Sequence, residues 1–299
     1  MDRQAGKSIL GIASYAMLCL IWGSTWLVIK VGYGGLGAFN VAAIRFFIAA
    51  IIMTAAVPMF GARWPRGTPE WRLVGIVGLL MFAGDYGLIY WAELHIDSSL
   101  TAILFATLPL VTISVAHLYL PGERITRRKL AGTLLAFAGA MALFADRIEI
   151  EDTAAVLPML AVLAATVCAA AAAVASKRHG AALHPAALNA PSMFIGAVTL
   201  LAVSLASGDG FRLPSRTSAW GAVVYLAIAG SVFTFLVYFW LLKTWTVTSL
   251  SFISVFTPAI AMVLGFVFLG ERPTSWTAVG AALIIGGVVL TIAPGRARR

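Results

Sequence analysis

Apolar residues fill long unbroken runs along this chain, and most charged residues fall between them. Ten runs stand out, at about 9–29, 38–60, 72–92, 98–120, 127–145, 154–176, 185–207, 218–242, 247–269 and 275–293. A helix needs roughly 20 residues to cross about 30 Å of hydrocarbon, so each run predicts a membrane span, the fifth and tenth being the shortest. The expected fold is an all-α polytopic membrane protein with ten transmembrane helices.

The pattern also repeats. Pro109, Gly122-Glu123-Arg124, Gly132 and Gly139 recur as Pro258, Gly270-Glu271-Arg272, Gly280 and Gly287. In both copies the glutamate precedes the first glycine by nine residues, and that glycine precedes the next by seven. Upstream, Tyr90-Trp91 pairs with Phe239-Trp240 and, more weakly, Lys30 with Lys177. The chain thus divides into two related halves, 1–149 and 150–299, joined near Asp146 to Asp152. Five spans per half is an odd number, so the second half enters the membrane from the opposite side. Two inverted five-helix repeats are the arrangement of secondary transporters, which bind substrate near mid-membrane between the repeats.

Composition supports the membrane assignment. Hydrophobic residues make up 61% of the chain and charged residues only 11%, against about 25% charged in soluble domains; mean hydropathy is +0.95. A net charge of +9 would suggest nucleic acid in a soluble protein, but here the basic residues set topology. With the amino terminus inside, fifteen lysines and arginines fall on the cytoplasmic side and five on the other, with Arg45 set aside as intramembrane. Both termini are therefore expected in the cytoplasm. No short apolar stretch with a cleavage site opens the chain, so the first run is expected to stay as a helix. Cys19 and Cys168 lie inside predicted helices at unrelated depths and read as packing residues.

Candidate chemistry lies inside the runs. Trp22, Trp26 and Lys30 share one face of the first helix; they either stack on a substrate and meet its charge or anchor the helix at the interface. Arg45 in the second helix needs water or a partner, such as a headgroup or a helix carbonyl. In the third helix Phe82, Tyr86 and Tyr90 recur every four residues beside Asp85, the one carboxylate well inside a run. A buried carboxylate must pair, protonate or line water, so Asp85 either binds substrate or a proton or bonds to a neighbouring helix. Glu93, His95 and Asp97 follow in the connection and read as solvated. Pro109 and Pro258 interrupt the fourth and ninth helices at corresponding places, either as hinges of a transport pathway or as packing kinks. The eighth helix presents Ser231, Thr234 and Tyr238 on one face, with Thr234 aligned to Asp85 by the repeat. The paired glycines of the fifth and tenth helices predict close backbone packing and a scaffold role.

No phosphate-binding glycine loop, zinc-binding His-Glu-x-x-His helix or nucleophilic grouping occurs, so no enzyme and no cofactor is expected. Taken together, Trp22-Gly-Ser-Thr-Trp26 with Lys30, Arg45-Phe46 and the doubled Pro…Gly-Glu-Arg…Gly ending resemble the EamA-type branch of the drug/metabolite transporter superfamily over nearly the whole chain. The resemblance implies a bacterial inner-membrane exporter of amino acids or related metabolites, and the aromatic first, third and eighth helices look most like exporters of aromatic and other apolar amino acids. The expected partners are a small-molecule substrate and the lipid bilayer, with no nucleic acid, for a protein working as a monomer. The rival readings are a multidrug exporter in which Asp85 faces lipophilic cations, and a non-transporting receptor or channel.

Overall fold

The computed structural model describes residues 2–143, 155–269 and 275–292. Every regular element among the described residues is helical, with no strand. The junction near Asp146–Asp152 and the Gly270-Glu271-Arg272 motif lie outside the described residues. In chain order the helices are α1 (Asp2–Tyr33), α2 (Ala38–Met59), α3 (Gly67–Ile76), α4 (Tyr86–Ala92), α5 (Ser98–Phe105), α6 (Leu108–Tyr119), α7 (Arg127–Ala142), α8 (Val156–His179), α9 (Pro185–Ala206), α10 (Thr217–Ala227), α11 (Thr234–Thr244), α12 (Val247–Ser251), α13 (Ile253–Leu269) and α14 (Ser275–Ile292).

Several of these are pieces of longer rods. A π-helical stretch, Val77–Asp85, joins α3 to α4, and another, Ile228–Phe233, joins α10 to α11. Seven rods are long and apolar enough to cross a membrane: Ile9–Tyr33, Ala38–Met59, Gly67–Ala92, Ser98–Tyr119, Val156–His179, Pro185–Ala206 and Thr217–Thr244. The remaining predicted runs form shorter helices among the described residues. The helix of the fifth run opens on Arg127-Arg128-Lys129 and covers 16 residues, while the ninth and tenth runs border residues outside the description. Large apolar side chains such as Ile51, Leu157 and Val289 face outward, each more than 60% exposed. That is the surface a bilayer covers.

Polar caps fix the turns between rods. The Thr126 hydroxyl accepts from Lys129 N at the start of α7, His184 Nδ1 accepts from Ala186 N at the start of α9, and Thr246 Oγ1 accepts from Ser249 N at the start of α12. Gly122 has φ +103°, a left-handed conformation that side chains disfavour, and delivers Glu123 into the bundle. There the Glu123 carboxylate accepts from Val247 N (2.8 Å), Thr248 N (3.1 Å) and the Thr248 hydroxyl (2.8 Å), capping α12 across the molecule.

The bundle has two distinguishable ends. At one, Tyr33 donates to Tyr90 O at 2.7 Å and Lys30 pairs with Asp97 at 3.5 Å. At the other, Tyr15 stacks on Trp245 and donates to Ser249 O, while Lys177 Nζ reaches the carbonyls of Leu242 and Trp245. The last turns of α1 and α8, which carry the paired Lys30 and Lys177, therefore lie at opposite ends.

Between α7 and α14 the packing is backbone on backbone. A Cβ on Gly139 would sit 2.7 Å from Gly280 O, and one on Gly287 would strike Ala136 N and Gly132 O. Small residues one heptad apart make this approach possible.

Candidate functional site

Six rods surround one cavity that is open at its mouth. Trp22, Thr25, Trp26 and Ile29 of α1 line it, with Met81 and Asp85 of the first π stretch, Tyr86 and Ile89 of α4, and Phe105 of α5. Leu108 and Thr112 come from α6, Ala169 and Ala173 from α8, and Phe235 and Tyr238 from α11. The last wall is α12 with the start of α13, where Ser251, Ser254 and Thr257 recur every third residue.

Of the residues singled out from the sequence, Trp22, Trp26, Asp85, Tyr86 and Tyr238 share this lining. Lys30, Phe82, Tyr90 and Thr234 lie outside it. Lys30 is at the Tyr33 end, paired with Asp97; Phe82, Tyr90 and Thr234 are fully buried behind the wall. The stripe formed by Phe82, Tyr86 and Tyr90 faces α2 and α11, where it encloses Arg45. The Arg45 guanidinium carbon lies 4.6 Å from the Tyr86 ring centroid and 5.1 Å from that of Phe46. Its nitrogens donate to the Ser231 hydroxyl (2.8 Å), Gly230 O (2.9 Å) and the Tyr90 hydroxyl (3.1 Å). Those contacts surround a fully buried cation with aromatic faces and dipoles. Two of its three partners belong to the second π stretch, where the Ser231 hydroxyl donates five residues back to Leu226 O. Such stretches free backbone carbonyls and often mark functional sites.

Pro109 falls in the first turn of α6, just after a break at Ala106–Thr107. A proline there forfeits no helical hydrogen bond. Pro258 lies inside α13, downstream of the break at Phe252. The two prolines thus occupy different places relative to the interruptions in their rods.

Three polar groups of the cavity wall have no hydrogen-bond partner among the described residues: Asp85 Oδ1, the Trp26 indole Nε1 and Thr112 Oγ1. Other wall hydroxyls give their protons to backbone carbonyls, Thr25 to Trp22 O, Ser251 to Thr248 O, Ser254 to Ser251 O and Thr257 to Ser254 O. Their lone pairs remain as acceptors. Among the described residues, no lysine or arginine is in the lining. Sequence reasoning missed the Ser251, Ser254 and Thr257 ladder, whose three-residue spacing was a readable signal, and it gave Glu123 no individual role. One expectation is corrected: Glu93, read as solvated, is only 4% exposed because the end of α1 packs beside the turn that carries it, with Tyr33 next to Glu93 and donating to Tyr90 O.

A bundle of membrane-spanning helices around a central cavity has the build of a membrane transporter. The EamA-like transporter family matches residues 9–145 and again 156–293, so the chain belongs to that family, within the drug/metabolite transporter superfamily, and is a multi-pass membrane protein. It is 29% identical over 290 residues to an uncharacterized transporter, YoaV, of Bacillus subtilis, covering 95% of this chain and 96% of that one. It is 28% identical to a probable terminal-alkyne amino-acid exporter of Streptantibioticus cattleyicolor, covering 90% and 89%. The uncharacterized inner membrane transporter YedA of Escherichia coli K12 is 27% identical, covering 91% and 87%. A crystal structure at 23% identity shares the fold, with a TM-score of 0.80 over 94% of this chain and 96% of that one.

Proposed function

We propose that this protein exports amino acids with apolar side chains, aromatic ones first, across the inner membrane by alternating access. In this reading ten spans form two inverted five-helix repeats, and both termini are cytoplasmic. The observation that carries the proposal is the set of orphan groups in a wall made mostly of apolar and aromatic side chains. Asp85 offers a carboxylate to an ammonium group; the Trp26 N–H and Thr112 hydroxyl offer donors to a carboxylate. Buried polar groups without partners are costly, and a zwitterion satisfies both kinds at once. The rings of Trp22, Tyr86, Phe235 and Tyr238 suit its side chain. The relative named as an amino-acid exporter supports the substrate class.

Purified protein in liposomes loaded with tryptophan tests this. Efflux should exceed that of empty liposomes and be inhibited by phenylalanine and leucine. A second reading, export of lipophilic cations, is favoured by the acceptor-rich wall, in which no described residue is a lysine or arginine. Movement of tetraphenylphosphonium with no response to tryptophan would replace the first reading with the second.

A further inference from the structure

The two ends of the bundle treat their charged groups differently. At the Lys177 end, Glu123 accepts three hydrogen bonds and Lys177 Nζ donates to the carbonyls of Leu242, Lys243 and Trp245 at 2.7–3.3 Å. These charges cap helix ends and are fully employed. At the opposite end, Lys30, the partner of Lys177 in the repeat, makes one 3.5 Å ion pair with Asp97. Beside it Glu93 is buried, and neither of its carboxylate oxygens has a hydrogen-bond partner among the described residues.

The groups facing Glu93 are few. Lys30 and Tyr33 approach from α1, Tyr90 from its own helix and Ser98 from the start of α5. The Tyr33 hydroxyl is committed to Tyr90 O, the Ser98 hydroxyl donates to Trp26 O, and His95 Nδ1 contacts Trp91 O. Ala92 and Ile96, on either side of Glu93 in the chain, pack with Val162 into an apolar cluster flanked by Leu100 and Leu104. In this arrangement the carboxylate receives no hydrogen bond, and the charge of Lys30 and the side chain of Ser98 are what lie near enough to offset its ionised form.

We infer that Glu93 is a proton-binding site of the transport cycle: protonated, it keeps this end packed; deprotonated, it draws Lys30 away from Asp97 and opens the Ala92–Ile96–Val162 cluster. The proton passes to solvent at that end, and the ammonium of Lys30 takes over the negative charge. The inference rests on the alternating-access reading, and its ligand is the proton. Burial pushes the Glu93 carboxyl up to about 8. A carboxyl raised in this way favours the packed arrangement fully at acidic pH and loses that advantage as pH climbs from the ordinary carboxylate range through about 8.

The test needs no substrate. In a Cys19→Ala, Cys168→Ala background, Val162→Cys places a thiol in the closed cluster, and an impermeant maleimide is applied to proteoliposomes from the Glu93 side. The same reporter with Glu93→Gln supplies the thiol's own pH dependence. From pH 6 to pH 9 the labelling rate with Glu93 intact, divided by the rate in the Glu93→Gln variant, should rise about a hundredfold, since linkage to one proton gives about tenfold per pH unit up to about 8. Lys30→Met, which removes the capturing cation, should suppress most of that rise, while Glu93→Asp should retain it. A flat ratio, or a full rise with Lys30→Met, overturns the inference. Failure of tryptophan transport would instead count against the proposed substrate and leave this readout intact.

Discussion

Two pairs of matching helices, one member from each half, are built on opposite rules. α7 and α14 run unbroken and meet through Gly132, Gly139, Gly280 and Gly287, with backbone against backbone. The rods 67–92 and 217–244 each carry a π-helical stretch and fill the space between them with large rings; Phe235 alone contacts Trp22, Phe82, Tyr86 and Tyr238. A duplicated sequence has yielded close backbone packing where the residues are small and a ring-lined cavity where they are large. Within the second pair the halves also differ, because the first rod brings the carboxylate of Asp85 and the second receives the guanidinium of Arg45.

The sharpest way to break this contrast is at Arg45. Arg45→Ala removes a fully buried side chain and strands Gly230 O, the Ser231 hydroxyl and the Tyr90 hydroxyl, so unfolding in detergent should show a loss of about 3–5 kcal/mol. Ser231→Ala should lose only about 1–2 kcal/mol, since one neutral partner is removed. Equal losses would mean that the guanidinium does not hold the second π stretch.

The scaffold pair comes next. Gly287→Ala drives a methyl into Ala136 N and Gly132 O, where backbone cannot yield, and should cost about 1–3 kcal/mol. Its neighbour Gly286→Ala meets only Leu135 at 3.8 Å and should change stability by less than about 0.5 kcal/mol. Indistinguishable melting curves for the two variants would refute the close-packed interface.

Asp85→Asn should separate site from scaffold. The isostere keeps shape and hydrogen-bonding capacity, so stability should move by less than about 1 kcal/mol, while losing the charge-assisted bond to an ammonium should cut tryptophan flux about tenfold or more. Normal flux in this variant would remove Asp85 from the substrate site. Pro109→Ala should have only a small effect, about 0.5–1 kcal/mol through the unfolded chain, because the break at Ala106–Thr107 precedes it.

Much of this architecture was legible in the sequence because spans and repeats are written in hydropathy and spacing. Trp22, Trp26, Asp85, Tyr86 and Tyr238 could be singled out because polar or amphipathic groups inside apolar runs are costly without a task. The facing of a stripe was not legible. Phe82, Tyr86 and Tyr90 do share a side of their rod, but period alone does not say whether that side meets a cavity or Arg45. The π stretches leave no compositional mark, since they depend on which carbonyls a neighbouring helix can satisfy. Glu93 was misread for a related reason: an acidic residue just past an apolar run ordinarily reaches water, and only the fold of α1 over that turn buries it.

The cap that Glu123 places on α12 has a consequence for biogenesis. It joins residues 124 and 125 positions apart, so it cannot form while the ribosome is still making α9 to α11. Until Val247 and Thr248 emerge, the turn after α6 waits with its carboxylate uncommitted, and the first half of the chain stays incomplete at that end. Insertion order thus leaves the earlier half dependent on the later one, and a chain truncated before residue 247 should be recognised as unfinished by membrane quality control.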